Sequence, residues 1–267
     1  MIPDLIKNAF SFLLTNEEKS LEIISYILFV WGGSVLISLQ TVTAPYGRYS
    51  RSGWGPPVPV KLAWIIQELP SFAVPLIVAF FADCPNANKT IIRFSLGLFL
   101  FHYTQRTFIF PVLIRGGKPT PMIPFVMAIF FCVVNGYLQS SHLLKFSQLE
   151  WGPESYGRIT LGTIIFLSGM AINIHSDHVL RNLRKPGETD YKIPYGGMFN
   201  YVSGANFFGE ILEWAGFAVL NWSLPTMAFA AFTLFNVGPR AMQHHKWYQK
   251  KFEKYPKSRK ALIPFVL

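Results

Sequence analysis

The sequence predicts an all-α integral membrane protein in which seven transmembrane helices form one bundle. Of the 267 residues, 51% are hydrophobic and 14% are charged, whereas a soluble domain carries about 25% charged residues. The apolar residues form runs of about 20 positions, the length that a helix needs to cross a bilayer. The net charge of +10 does not indicate a nucleic-acid binder, because Lys and Arg lie between apolar runs rather than on a polar domain surface.

Seven apolar runs define the predicted helices in chain order. Each run is rich in Phe and Leu, and Trp and Tyr fall near the run ends, where a bilayer meets water. The connections are short, and neither an internal repeat nor a low-complexity tract separates the runs, so residues 1–267 are predicted to form a single domain. The predicted spans cover approximately residues 22–40, 60–82, 92–114, 121–144, 159–180, 198–220 and 224–243.

The distribution of positive charge predicts the orientation of the bundle. Seven spans place the two termini on opposite sides of the membrane. If the C-terminus is cytoplasmic, most Lys and Arg residues face the cytoplasm, including those in residues 181–185 and 246–260. This arrangement satisfies the positive-inside rule, so we expect a cytoplasmic C-terminus and an N-terminus on the opposite side.

Polar side chains interrupt the predicted spans, and such groups indicate function because they cost free energy in a bilayer. Helical spacing places the polar residues of the last three spans on one face of each helix. Those faces carry Asn173 with Asp177 and Arg184, Asn206 with Glu210, and Arg240 with His244 and Tyr248. We expect the three faces to border one shared cavity with a basic cytoplasmic mouth.

The same residues also allow a purely structural interpretation. Polar stripes can join helices through interhelical hydrogen bonds, and terminal Arg and Lys side chains can extend to lipid headgroups. Glu68, in the second span, is a candidate hydrogen-bond donor, because apolar surroundings favour a neutral carboxyl group. Its structural alternative is to partner Arg106 of the third span or another buried base.

Metal chemistry is not predicted. His175 and His178 form an HxxH pattern and His244 adjoins His245, but six histidines in all are too few for a membrane di-iron centre. The two cysteines form no CxxC motif, so neither a cysteine metal site nor a disulfide framework is predicted. Neither GxGxxG after a strand nor GxxxxGK[ST] occurs, so no soluble nucleotide-binding fold is indicated.

Several long motifs resemble the steroid 5α-reductase family and are close to its vertebrate type 1 and type 2 enzymes. The motifs are "WIIQELPSFAVP", "HYTQRTFIFP", "RGGKPTPM", "NGYLQS", "GMAINIHSDHVLRNLRKPGE", "YKIPYGGMFNYVSGANFFGEILEW" and "HHKWYQKKFEKYPKSRKALIPF". The resemblance covers residues 60–267, whereas the first 50 residues match little. It implies a seven-helix membrane enzyme whose bundle encloses the cofactor and the substrate. The implied reaction is NADPH-dependent reduction of the 4,5 double bond of a 3-oxo-4-ene steroid such as testosterone or progesterone.

The resemblance also implies roles for individual residues. Glu68 and Tyr103 match the pair at the 3-oxo group of the steroid, and Trp64 matches the steroid pocket. The implied cofactor site comprises Arg115, Lys118, Asn173, Asp177, Arg184, Tyr191, Lys192, Asn206, Glu210, Arg240, His244 and Tyr248. Type 2 enzymes have Arg at the positions of Lys118 and Lys192; Lys can still face a phosphate, but without the bidentate geometry of Arg.

Two other functional classes are alternatives. A membrane methyltransferase of the isoprenylcysteine or phospholipid type would share a basic, aromatic C-terminal region, and a transporter could use helices broken near Pro70 and Pro111. The family implies a steroid that arrives through the lipid bilayer, and neither a nucleic acid, a metal nor an oligomer is implied. A eukaryotic source would place the protein in the endoplasmic reticulum membrane, and a bacterial source in the inner membrane.

Overall fold

The computed structural model describes residues 15–185, 187–188 and 190–267, and this part of the chain is almost entirely helical. Two π-helical segments, Gln105–Ile109 and His142–Phe146, continue the third and fifth helices. The α-helices are α1 (Glu17–Thr41), α2 (Val60–Phe81), α3 (Thr90–Thr104), α4 (Phe110–Leu113), α5 (Met122–Ser141), α6 (Pro153–Asn182), α7 (Ala205–Asn221) and α8 (Leu224–Lys251).

The prediction of an α-helical membrane protein is confirmed, and each predicted span overlaps an observed helix. Within the described residues, four helices are long and apolar enough to cross a membrane: α1, α2, α5 with its π extension, and α6. The sixth predicted span began too early, because residues 198–200 belong to the 3₁₀ turn Gly197–Asn200 and α7 starts at Ala205. Gly196 and Gly197 have positive φ angles of 98° and 52°, which an α-helix cannot accommodate.

Two short strands tie the loop before α2 to the loop after α4. They are β1 (Pro57–Val58) and β2 (Thr120–Pro121), which pair antiparallel with Val58 opposite Thr120. The pairing holds the "RGGKPTP" loop, including Arg115 and Lys118, at the same end of the bundle as the start of α2. Pro70 does not break α2, which runs without interruption to Phe81.

Helices α6 and α7 form the closest pair in the bundle. Gly162 and Gly169 of α6 face Gly216 and Gly209 of α7, so that the two backbones touch. A Cβ atom built on Gly169 would lie 2.3 Å from the backbone nitrogen of Glu213, far inside van der Waals contact. Small residues at such positions allow close helix association in membranes. The contact fixes the relative height of the polar residues near the ends of both helices.

An aromatic cluster fills the centre of the bundle. The fully buried Trp214 ring of α7 lies 4.3 Å from the Phe229 ring of α8 and 5.8 Å from the Phe99 ring of α3, measured between centroids. Phe166 of α6 and Phe217 of α7 close the same cluster. The candidate functional side chains therefore lie next to a closely packed apolar core.

Candidate active site

Glu68 and Tyr103 lie near each other between α2, α3 and α5. The Glu68 carboxyl group accepts a hydrogen bond from Gln67 at 3.2 Å and lies 3.9 Å from the sulfur atom of Cys132. Tyr103 is 3% exposed and lies within electrostatic range of Glu68. Two groups that can each donate a hydrogen bond thus converge on one region, as the motif resemblance implies.

The aromatic cluster packs against the Tyr103 ring, and polar side chains meet its hydroxyl group. The Tyr103 ring stacks 6.0 Å from the Trp214 ring and lies 4.7 Å from the Phe99 ring, whereas Ser71 and Asn135 are the side chains that interact with its hydroxyl group. Two packed rings fix the direction of the hydroxyl group, so that it needs little reorganisation to meet a ligand.

Arg106 connects the region of Glu68 with α6. Its Nη1 atom donates a 2.9 Å hydrogen bond to Oδ2 of Asp177, and its guanidinium group lies 4.7 Å from the Trp64 ring and 4.4 Å from the Phe110 ring. Arg106 belongs to the π-helical segment Gln105–Ile109, and such segments frequently occur at functional sites. The ion pair expected as the structural alternative for Glu68 is therefore formed with Asp177 instead.

A second buried pair joins α3 to α7. Nδ1 of His102 lies 2.7 Å from Oε1 of Glu213, and the two side chains are 7% and 0% exposed. The His102 ring also contacts the Trp214 ring at 4.5 Å and the Tyr103 ring at 5.0 Å. The sequence analysis assigned neither residue to the site. Because Tyr103 follows His102 directly, this pair helps to position Tyr103.

The three polar faces predicted for α6, α7 and α8 meet at Asn206 and Phe207. The side-chain amide of Asn173 donates to the carbonyl oxygen of Asn206 at 2.9 Å. The guanidinium group of Arg240 lies 4.8 Å from the Phe207 ring, and the His244 ring lies 5.5 Å from it. These contacts bring the start of α7 against α6 and α8, and a cavity shared by the three polar faces stays a prediction.

A segment before α2 completes this region, although the motif resemblance did not reach it. Arg48 lies in the 3₁₀ turn Gly47–Tyr49 and donates a 3.0 Å hydrogen bond to the Tyr248 hydroxyl group. Its guanidinium group also lies 5.3 Å from the Tyr191 ring. On either side of Arg48, the Tyr46 ring faces Arg240 and the Tyr49 ring faces His244. The sequence analysis did not assign Arg48 to the site. The only indication in the sequence was that Arg48 is a cation in a loop predicted to be cytoplasmic.

The cations predicted to line the cytoplasmic entrance of the cavity lie in several loops. Arg184 lies 5.3 Å from the Tyr191 ring, and Arg115 donates to Asn182 at the end of α6 at 2.9 Å. Lys118 is exposed, and Lys192 pairs with Glu188. The Lys192 ammonium group and a backbone hydrogen bond from Lys185 lower the pKa of the Glu188 carboxyl group. An incoming phosphate would therefore compete with Glu188 for Lys192.

Burial and neighbouring cations both disfavour the charged form of His244. Burial lowers the pKa of its imidazole well below the ordinary value, and the cations of Arg48 and Arg240 lower it further. A neutral imidazole among arginines can accept as well as donate a hydrogen bond. Burial also raises the pKa of the Tyr49 phenol, which stays a hydrogen-bond donor.

Buried polar atoms without partners mark space for a ligand. Within the described residues, Nη1 of Arg48, the Tyr49 hydroxyl group and Oγ of Ser176 are buried and make no hydrogen bond. Buried donors without a hydrogen-bond partner are rare in folded proteins unless a water or a ligand satisfies them. Arg48 and Tyr49 adjoin the predicted cofactor residues Tyr248 and His244. Their orphaned atoms therefore fit an anionic, hydroxyl-rich ligand such as a dinucleotide.

Comparison with known proteins identifies the family. Residues 118–267 match the family model described as 3-oxo-5-alpha-steroid 4-dehydrogenase. The chain belongs to this family. It is 54% identical to rat (Rattus norvegicus) 3-oxo-5-alpha-steroid 4-dehydrogenase 1 over 87% of this chain and 90% of the relative. It is also 49% identical to the type 1 protein of Bos taurus (94% and 98% covered) and 48% identical to the human type 2 protein (88% and 95% covered).

Membership of this family makes the chain an oxidoreductase of steroid metabolism. The resemblance drawn from the motifs is thereby confirmed, and the methyltransferase and transporter alternatives are wrong. The family name implies a nicotinamide cofactor, and the orphaned donors around Arg48 are compatible with one. Within the described residues, no group of three or more His, Cys, Asp or Glu side chains is placed to hold a metal ion.

Proposed function

We propose that the protein reduces the 4,5 double bond of 3-oxo-4-ene steroids, of the testosterone and progesterone type, to 5α-reduced 3-oxo steroids with NADPH as cofactor. The observation that carries the proposal is the position of Arg106. Its guanidinium group contacts Trp64 on the predicted steroid side and binds Asp177 on the predicted cofactor side. These contacts support a proposal in which the two predicted sites are adjacent, as direct transfer between two bound molecules requires.

At the steroid end, Glu68 and Tyr103 are proposed to hold the 3-oxo oxygen. Negative charge develops on this oxygen during reduction, and fixed donors in a dry pocket stabilise such charge. A neutral Glu68 carboxyl group and the Tyr103 hydroxyl group are the two donors. Tyr103, or a water that it holds, is the proposed source of the proton that reaches carbon 4. Trp64 supplies a flat apolar wall for the steroid rings.

At the other end, residues of α6, α7 and α8 are proposed to bind NADPH. When bound, NADPH supplies the hydride that reduces carbon 5. Asn173, Asp177, Asn206 and Glu210 provide amide and carboxyl groups for its polar rings, and Tyr191, His244 and Tyr248 provide aromatic and hydrogen-bonding surface. The proposed partners of its phosphates are the cations of Arg48, Arg115, Lys118, Arg184, Lys192 and Arg240.

The membrane arrangement proposed for this reaction has seven spans. The four apolar helices carry the length and composition of spans, and α3 with its π-helical extension, α7 and α8 pack among them. We propose that these three also cross the bilayer, that the C-terminus is cytoplasmic, and that a eukaryotic protein of this kind resides in the endoplasmic reticulum. Cytoplasmic NADPH would then meet a steroid that enters from the lipid.

The test is turnover of a steroid panel by purified protein with NADPH, in wild type and in Glu68→Gln. We expect wild type to yield 5α-reduced 3-oxo steroids and Glu68→Gln to lose about 10²-fold or more in kcat, because a neutral amide is a poorer donor than a carboxyl group. NADPH binding, measured by quenching of Trp fluorescence, should change little. Glu154→Gln, the same change at an exposed position in the first turn of α6, should behave like wild type.

Two outcomes would contradict the proposal. Unchanged turnover in Glu68→Gln would remove Glu68 from the mechanism. Failure of the wild-type protein to reduce any 3-oxo-4-ene steroid, while it binds NADPH, would contradict the substrate class.

The Arg184→Ala variant tests whether NADPH binding can be weakened without weakening steroid binding. We expect it to raise the KM for NADPH by about tenfold, since one cation–phosphate contact is removed, and to leave the steroid KM within about twofold. An equal change in both constants would contradict its assignment to the cofactor.

A further inference from the structure

The last residues of the chain form a tight turn that directs apolar side chains outward. The backbone N–H groups of Leu262 and Ile263 both donate to the Leu267 oxygen at 2.7 Å, and the N–H group of Val266 donates to the Ile263 oxygen at 3.1 Å. Phe265 has a φ angle of 65°, a left-handed conformation that bulky residues rarely adopt. The turn is thus held closed by hydrogen bonds around a strained position.

The strained turn exposes its largest side chains instead of burying them. Phe265 is 79% exposed and Val266 is 72% exposed. The only aromatic ring against Phe265 among the described residues is that of Tyr201, at 5.5 Å between centroids, and Tyr201 is itself exposed. Side-chain contacts within the described part of the protein leave the Phe265 ring largely exposed, so it is available to an outside partner.

This apolar patch continues the lipid-facing surface of α6. Leu161, Ile164, Leu167 and Ile174 are exposed at helical spacing, as expected for the lipid-facing side of a span. Further along α6, Ala171, Ile172 and His175 border a surface groove together with Tyr201. Tyr201 thus connects the exposed face of α6 with Phe265.

The neighbouring charges fit a lipid surface. Lys254 and Lys257 are exposed on the segment that leads into the turn, and that segment is anchored by the Arg259 side chain, which donates to the Pro194 oxygen at 3.1 Å. Apolar residues beside exposed cations are typical of segments that lie in the interface of a membrane with anionic headgroups. A dimer would need about 800 Å² per partner, far more than a few side chains provide.

We propose that the C-terminal turn, residues 262–267, is an interfacial membrane anchor that inserts Phe265 and Val266 into the leaflet where α6 ends. Insertion would bury both side chains in the boundary between headgroups and acyl chains. It would also fix the segment that packs against Ser203 through Tyr255, whose hydroxyl group lies 2.6 Å from the Ser203 hydroxyl group. The anchor would thereby hold the loop that leads into α7.

A nitroxide spin label reports this insertion directly. The label is attached to Val266→Cys in a Cys84→Ala/Cys132→Ala background, and the full chain is reconstituted into vesicles of neutral and anionic phospholipids. Accessibility to oxygen, which concentrates in the bilayer, is compared with accessibility to a water-soluble nickel chelate. We expect the label at position 266 to be at least threefold more accessible to oxygen than to the chelate.

The control is the same label at Ser258→Cys, an exposed polar position close by in the chain. It should show the opposite preference. Phe265→Cys provides a second reporter should Val266→Cys fold poorly, and little packing is lost at either position because both side chains are exposed. Equal chelate accessibility at positions 265, 266 and 258 would overturn the proposal, and so would dipolar broadening that places a second copy of the chain against the turn.

Discussion

Substitution of Gly169 by Ala tests whether the contact between α6 and α7 sets the geometry of the site. The added Cβ would lie 2.3 Å from the Glu213 nitrogen and 2.6 Å from the Gly209 oxygen, both backbone atoms that no rotamer change can move. Ordinary contact begins at 3.4 Å, so the helices must separate locally by about 1 Å. Overpacking of this kind costs about 1–3 kcal/mol, which corresponds to about 2–12 °C in Tm for a protein of this size.

Thermal unfolding of the detergent-solubilised protein, followed by fluorescence-detected size exclusion, measures this cost. Gly157→Ala is the matched control, because Gly157 lies in the same helix and a Cβ atom there meets nothing within 4 Å. We expect Gly157→Ala to be neutral or stabilising by up to about 1 kcal/mol. Since a 1 Å displacement of site residues can cost about 10²-fold in rate, Gly169→Ala should also lose turnover. If both variants unfold at the same temperature, the backbone contact does not exist as described.

Three further predictions concern the polar contacts. Arg48→Ala should raise the KM for NADPH by about fivefold or more, whereas Arg51→Ala, a cation in the same loop, should change it little; equal effects would exclude a specific role for Arg48. Arg106→Gln should destabilise the protein by about 3 kcal/mol, because it leaves the buried Asp177 carboxylate unpaired, and Arg106→Gln/Asp177→Asn should recover part of the loss. Because the folded-state pKa of His244 is lowered, wild type should lose stability as pH falls below about 6.5; Tm differences from His244→Gln that stay constant with pH would contradict this.

The helices were predictable because length and apolarity alone decide whether a segment suits a bilayer. The predicted span 60–82 matches α2, Val60–Phe81, within one residue. Helix ends that lie outside the hydrocarbon region of the bilayer are not limited by its thickness. Helix α8 therefore extends to Lys251, eight residues beyond its predicted end, because a polar, basic sequence can continue a helix in water.

The site was predictable where helical spacing or motif resemblance applied and not where chain segments distant in sequence meet. The polar faces of α6 and α7 were predicted from spacing, and in the structure the Asn173 side chain reaches Asn206 through the backbone carbonyl oxygen of that residue. Arg48 lies 200 positions before Tyr248, its hydrogen-bond partner, in a loop without periodicity. The π-helical segment that carries Arg106 also changes which residues share a face, so no regular period predicts its contact with Asp177.

Four carboxyl groups lie near Arg106, and they differ in whether they form an ion pair. Glu68, Asp177, Glu210 and Glu213 all lie within electrostatic range of Arg106. Asp177 is bound to Arg106 and Glu213 to His102, so these two join helices. Among the described residues, neither Glu68 nor Glu210 has a cation within ion-pair distance. Both residues are half-buried. Of these four carboxyl groups, Glu68 and Glu210 are therefore the two without an ion-pair partner, whereas Asp177, also assigned to the proposed cofactor site, is paired with Arg106.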